Sequence, residues 1–184
     1  MRHFKIIFVL SSFLLLISGC ATVPVFVNPK GAKVDLQRYK TIKAEPLQVA
    51  KGVTVSSYIL QQVETSIFTS CLPYFGPYIQ GVSEDAENLI LQATITKYND
   101  PDRGAEKFFF GQNALIEVKI ILLDRATSQE VGEAKFSASY AEQGFLAGGL
   151  LSQTTTMDEI MVENMLMSEL RQKIGLGLKK TLGK

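Results

Sequence analysis

Histidine occurs once and tryptophan never in the 184 residues, cysteine occurs twice, and neither sign of charge is in surplus, with 19 Lys and Arg against 18 Asp and Glu. Each shortage excludes something. A general nucleic-acid binder needs an excess of basic side chains to displace counterions from phosphates, and none is present. The leading apolar stretch, Ile6 to Ile17, has 12 residues including Ser11 and Ser12, whereas a spanning helix needs roughly 20. With 46% hydrophobic and 20% charged residues the composition is that of an ordinary globular chain, of a length that suits one domain.

What is present begins at the N-terminus. A basic start (Arg2, His3, Lys5), the apolar stretch and then small residues are the three parts of a secretory leader, so residues 1–19 are set apart from the fold. The leader ends in Leu16-Ile17-Ser18-Gly19-Cys20, which resembles the lipobox of bacterial lipoproteins. That resemblance implies cleavage between Gly19 and Cys20, with diacylglycerol on the Cys20 thiol and further acylation, such as palmitate, at the new N-terminus. Two long chains already give stable membrane anchoring. Ala21 stands where the family's inner-membrane retention signal usually has Asp, which points to the outer membrane and a periplasm-facing domain, or to the outer face of a single-membrane cell.

Removing the leader takes away His3, Arg2 and Lys5, and leaves a 165-residue chain with 17 basic and 18 acidic residues, net −1. A chain without histidine cannot build a Ser-His-Asp or Cys-His site and lacks the commonest metal ligand. No catalytic residue, metal or cofactor is therefore expected. With Cys20 acylated, Cys71 has no partner in its own chain; between Ser70 and Leu72 it reads as a buried thiol, with an intermolecular bridge as the other option.

Residues 20–37 carry Pro24, Pro29 and Gly31 without a sustained period, as expected of a tether that stretches to about 60 Å at most. The apolar run Val23 to Val27 is unusual in a spacer, and either docks on the domain or lies at the lipid interface. The domain is expected over residues 38–184. A strand from Tyr39 to Glu45 stops at Pro46. Val55, Ile59, Val63, Ile67 and Cys71, four apart, predict a helix ended by Pro73, Gly76 and Pro77. Residues 89–98 alternate, with Leu89, Leu91, Ala93 and Ile95 on one side and Gln92, Thr94, Thr96 and Tyr98 on the other. Residues 113–124 place Ala114, Ile116, Val118, Ile120 and Leu122 together. After a turn, residues 130–140 place Ala134, Phe136, Ala138 and Tyr140 inward. Thr156 to Glu159 form a capping box ahead of a helix whose expected apolar face is Ile160, Met161, Met165, Leu166, Leu170, Ile174 and Leu178, with Gly175 and Gly177 weakening its end. Its basic end (Arg171, Lys173, Lys179, Lys180, Lys184) suits the helix dipole, or alternatively docks on anionic lipid.

The predicted class is α+β, an antiparallel sheet of about four strands with two helices on one face, in the order strand-helix-strand-strand-strand-helix. From Tyr39-Lys40-Thr41 through Leu122-Leu123-Asp124 and the following hairpin, the chain resembles an uncharacterised bacterial family of envelope lipoprotein domains of unknown function. That family commonly has Thr-Gly in the hairpin, and here Ser128 follows Thr127. The layout is more distantly similar to small α/β modules of envelope proteins such as the N-terminal domain of TolB, the curli secretion lipoprotein and lipoprotein activators of peptidoglycan synthases, a likeness that transfers no function.

Other motifs read as structure. Gly144 to Gly149 has P-loop glycine spacing, but Leu150 and Leu151 stand where Lys and Ser or Thr are required. Asn99 to Gly104 lacks the register of a calcium loop, and Glu84, Asp85 and Glu87 read as solvated loop charge. Two aromatic groups are the candidate interaction surfaces: Phe108, Phe109 and Phe110, and Tyr74, Phe75 and Tyr78. Large apolar residues normally find burial, so each group either caps the core or, if exposed, marks a contact. The leading functional reading is a lipid-anchored, non-enzymatic envelope module that binds an envelope protein or itself. The alternatives are a carrier holding a lipid or other apolar ligand between helices and sheet, and a subunit of an oligomeric secretion channel. A deep apolar pocket distinguishes the carrier, and a flat exposed patch the protein binder.

Overall fold

A computed structural model of the chain describes residues 23–77, 88–99, 112–142 and 159–183. The leader, Gly19 and Cys20, Tyr78, Phe108 to Phe110, Gly144 to Gly149 and the cap at Thr156 lie outside the described residues. The elements are β1 (Thr41–Ala44), β2 (Gln48–Val49), α1 (Ser57–Cys71), β3 (Gly76–Pro77), β4 (Asn88–Asn99), β5 (Gln112–Asp124), β6 (Glu130–Glu142) and α2 (Glu159–Leu182). They form an α+β fold with a six-stranded sheet in the order β3-β1-β4-β5-β6, and β2 also paired to β4.

The three long strands form as their alternation predicts. Leu89, Leu91, Ala93 and Ile95 of β4, Ala114 to Leu122 at every second position of β5, and Ala134, Phe136 and Ala138 of β6 are all buried on one face. β4–β5 and β5–β6 are antiparallel. The wholly antiparallel expectation fails at the other edge, where β1, β2 and β3 all pair in parallel. The reason is the connection: α1 lies between β2 and β4, and a crossover of that length returns the chain in the same direction, which a tight hairpin cannot do. Pro46 divides β1 from β2 on this edge, consistent with its inability to donate to a ladder.

A bulge corrects a second expectation. The β4–β5 register shifts between Ile95 and Lys97, so that Tyr98 stands opposite Ile116 and packs against the core, although simple alternation places it on the outer face. One extra residue reverses every side chain beyond it.

α1 is capped by Ser56, whose hydroxyl accepts from the Ile59 amide, and buries the four-residue stripe Ile59, Val63, Ile67 and Cys71. α2 buries Val162, Leu166, Leu170, Ile174, Leu178 and Leu182, a stripe of the same spacing. Its first turns depart from the expected face: Met161 is 52% exposed and Met165 is also exposed, while Val162 and Met167 are inside.

The expected tether begins, within the described residues, as part of the body. Phe26 is 1% exposed, and Val34 and Leu36 are buried with it. Val27 exchanges backbone hydrogen bonds of 3.0 and 2.8 Å with Glu133, extending the outer edge of β6. A turn follows, in which the Asn28 side chain accepts from the amides of Lys30 and Ala32 and Gly31 takes a positive φ of 77°. The apolar run therefore docks, which is why it is more hydrophobic than a spacer requires.

Two glycines make room for this arm. A Cβ on Gly177 would lie 2.7 Å from the Pro24 carbonyl oxygen and 2.8 Å from the Phe136 ring, and one on Gly132 would lie 2.5 Å from a Val34 methyl. Phe26 stacks obliquely on Phe136 with ring centroids 5.8 Å apart, and its amide donates to the Thr181 hydroxyl, which in turn donates to the Gly177 carbonyl.

Candidate functional site

The side chains that the two periodicities deliver between helices and sheet form one core, and polar side chains gather at surfaces around it. One of them is the seam between the ends of α1 and α2. Here the single hydroxyl proton of Ser70 is shared between the carbonyls of Ser66 and Arg171, at 2.6 and 3.1 Å, and the Tyr74 hydroxyl donates to the Gly175 carbonyl at 3.1 Å. Above these bonds runs an open groove of about 680 Å³, bordered by Thr69, Pro73, Ser168, Arg171, Gln172 and Leu176. Leu72 and Leu176 are exposed beside it, and Met165 lies further along the outward side of α2. The surface combines hydroxyls, an amide, one guanidinium and isolated apolar side chains.

The aromatic group expected nearby is divided by the fold. Tyr74 is half-buried, and its ring packs on the core while its hydroxyl ties α1 to α2. Phe75 is 1% exposed and offers no surface, a correction that follows from its place where the chain turns inward after α1. Their partner Tyr78, and Phe108 to Phe110, fall outside the described residues. Cys71 is buried, and desolvation pushes its thiol up to about 12, so it is protonated at neutral pH and inert.

A second polar cluster lies where the arm meets the β5–β6 turn. Asp124 accepts from the Tyr39 hydroxyl at 2.9 Å and from Arg38 at 3.0 Å on one oxygen, and from the amides of Ala126 and Thr127 at 2.9 and 3.1 Å on the other. Burial alone would raise the Asp124 pKa, but these bonds, first among them the one from Tyr39, hold it below the usual carboxylate range. Arg38 is 65% exposed, so its ion pair adds little by itself. Tyr39 and Asp124 belong to the two stretches, Tyr39-Lys40-Thr41 and Leu122-Leu123-Asp124, on which the family resemblance rests, and they are in direct contact. Thr41 of the first stretch likewise hydrogen bonds Asn88. Ser128 in the same turn has φ of 55°, a conformation that costs a non-glycine residue about 1 kcal/mol and that the Thr-Gly of the resembled hairpin would meet freely.

These bonds make Asp124 a clamp between arm and hairpin, with a testable pH signature. Asp124→Ala is expected to cost about 2 to 3 kcal/mol near neutral pH, from the hydrogen bonds to a charged acceptor that it removes. Because the folded pKa is depressed, this stabilisation is complete above the unfolded value of about 4 and is lost as pH falls through the folded value. Urea titrations at pH 7, 4 and 3 should show the gap between variant and wild type shrinking toward the acid end; a gap independent of pH would contradict a charged clamp.

No metal-binding group of three or more His, Cys, Asp or Glu occurs among the described residues, and no described helix is long and apolar enough to cross a membrane. No family model and no curated protein matches the sequence. Among solved structures, the chain is similar to a Xanthomonas campestris protein of the DUF330 family (16% identity, 88% of this chain and 91% of that one, TM-score 0.48). It is also similar to a PelC dodecamer subunit of Paraburkholderia phytofirmans (8% identity, 84% and 97%, TM-score 0.45). A third likeness is to a lipoprotein of Neisseria meningitidis (12% identity, 74% and 99%, TM-score 0.43). Likeness at this level transfers neither activity nor assembly state to the present chain.

Proposed function

We propose that this is a non-enzymatic, lipid-anchored protein of the cell envelope, acylated at Cys20, facing the periplasm from the outer membrane, and acting as a protein-interaction or assembly module through the α1–α2 seam. The observation that carries the reading is the succession of a secretory leader, Leu16-Ile17-Ser18-Gly19-Cys20, and, six residues after Cys20, a Phe26 locked into the core. A cysteine at the end of a leader, leading directly into a folded body, is placed to hold that body at a bilayer. The open, mixed groove supports a protein or a second copy of the chain as occupant. The carrier reading requires space between helices and sheet, where Ile59, Val63, Phe136, Leu166 and Leu170 are all buried in one core.

The test has two parts. Intact mass of the native protein should show the leader removed and acyl chains added, and Cys20→Ser should lose metabolically incorporated palmitate and remain uncut. A photocrosslinker at Gln172 in intact cells should capture one dominant envelope protein or a second copy. Adducts of phospholipid alone would favour the carrier, and an unmodified native mass would remove the anchor.

A further inference from the structure

We infer that β6 carries a strand-accepting edge matched to a second copy of this chain, and that the Glu169–Lys173 pair of α2 holds that edge closed. The inference depends neither on an acylated Cys20 nor on the α1–α2 seam.

The edge follows from the topology. β6 ends the sheet order and has 13 residues, whereas β3 at the other edge consists of Gly76 and Pro77. A long edge presents a row of backbone donors and acceptors to any strand that arrives. The arm covers only its beginning: Val27 exchanges bonds with Glu133, while Phe26 and Pro24 pack toward Phe136 and Gly177. Backbone groups alternate sides along a strand, so the outward set that starts at Glu133 continues at Lys135, Ser137, Ser139 and Ala141. Side chains of α2 take two of these groups. Lys173 Nζ donates to the Ser137 carbonyl at 2.8 Å, the Glu169 carboxylate accepts from the Ser139 amide at 3.1 Å, and the two side chains form an i, i+4 ion pair of 2.6 Å. An ammonium thus stands where the amide of an added strand would donate, and a carboxylate where its carbonyl would accept.

Symmetry selects the occupant. When two β6 edges run antiparallel about a two-fold axis at Ala138, Ser137 of one copy lies opposite Ser139 of the other. Opposed residues of a hydrogen-bonded antiparallel pair exchange both bonds, so the Ser139 amide of each copy donates to the Ser137 carbonyl of the other. The two groups that Glu169 and Lys173 occupy are therefore each other's partners across that axis. Exposed Lys135 falls opposite Ala141, so no like charges meet. Glu133, with the arm on it, stays outside the paired stretch. A self-complementary ladder of this kind closes on itself and yields a dimer rather than a fibre.

The experiment is disulfide trapping between two forms of the full chain in detergent micelles, Ser137→Cys with an affinity tag and Ser139→Cys without one. Directly opposed residues are about 5.5 Å apart at Cα, within disulfide reach, whereas each new cysteine and its own copy sit on a diagonal of about 7 to 8 Å. Buried Cys71 does not compete, and the parent chain oxidised alone sets the background. Glu169→Ala with Lys173→Ala in both forms should raise the mixed disulfide about tenfold, the equivalent of one or two ordinary hydrogen bonds that a second strand no longer has to displace. The mixture should then exceed either form oxidised alone severalfold. Because an exposed ion pair contributes little to stability, the variants should melt cooperatively like the parent. Lys173→Gln alone, which frees only the Ser137 carbonyl, should give an intermediate rise. No rise in either background overturns the edge pairing. Equal trapping in the mixture and in the separate forms overturns the register and signals collision. A mixed disulfide already at its full level with Glu169 and Lys173 in place overturns their role as the closure.

Discussion

Phe26→Ala is expected to lower stability by about 3 to 5 kcal/mol, the range for removing a fully buried ring and leaving its cavity. For a body of this size that is on the order of a 10 °C fall in Tm. The expectation follows from three contacts at one residue: the ring against Phe136, the amide on Thr181, and the next residue, Val27, laddered to Glu133. A spacer would show no such loss, since an exposed, unpacked residue changes stability by less than about 0.5 kcal/mol. Denaturant titration of the variant therefore distinguishes a docked arm from a tether. The companion Pro29→Ala, at an exposed position in the turn, should be nearly silent.

The second large effect is a difference of sign between two glycines in one helix. Gly175→Ala meets open space and should stabilise α2 by about 0.5 to 1 kcal/mol, because alanine holds helical backbone at lower entropic cost than glycine. Gly177→Ala gains the same propensity but drives its Cβ to within 3 Å of the Pro24 carbonyl and the Phe136 ring. The backbone of the arm or the ring must move, and Gly177→Val should lose about 3 kcal/mol or more, at the upper end of overpacking effects. Thermal melts of Gly175→Ala and Gly177→Ala should shift in opposite directions. If both rise, the arm is not seated on α2 as described.

The fold was legible where its causes are local. Four-residue spacing in Ile59 to Cys71 and alternation in residues 89–95, 114–122 and 134–138 reflect one side of one element, and those faces are buried as read, whereas Val55 precedes the Ser56 cap and is only partly buried. What was not legible depends on partners distant in sequence. Whether β1 runs with or against β4 is decided by the α1 crossover and not by Thr41 to Ala44. The bulge near Thr96 leaves no mark on an otherwise regular alternation, so Tyr98 was placed on the wrong face. Met161 and Met165 fit a helical stripe as well as Val162 and Met167 do, and only the sheet decides which pair goes inside. Gly177 reads as a helix weakness until Pro24 is seen against it. For the candidate site, Tyr39 and Asp124 stood in the stretches that carry the family resemblance, but 85 positions apart their bond had no sequence signal. Of the seam, Tyr74 stood among the candidate aromatics, but its bond and that of Ser70 had no sequence signal, since hydroxyls on α1 and just after it reach carbonyls on α2 whatever side chains those carry.

The bond between Phe26 and Thr181 joins residues 155 positions apart. An early segment that seats itself on the last helix cannot settle while synthesis is under way, and so large a sequence separation also makes closure slow. This contact therefore closes last, after the final helix has been made, and joins the two termini of the body only once everything between them is in place.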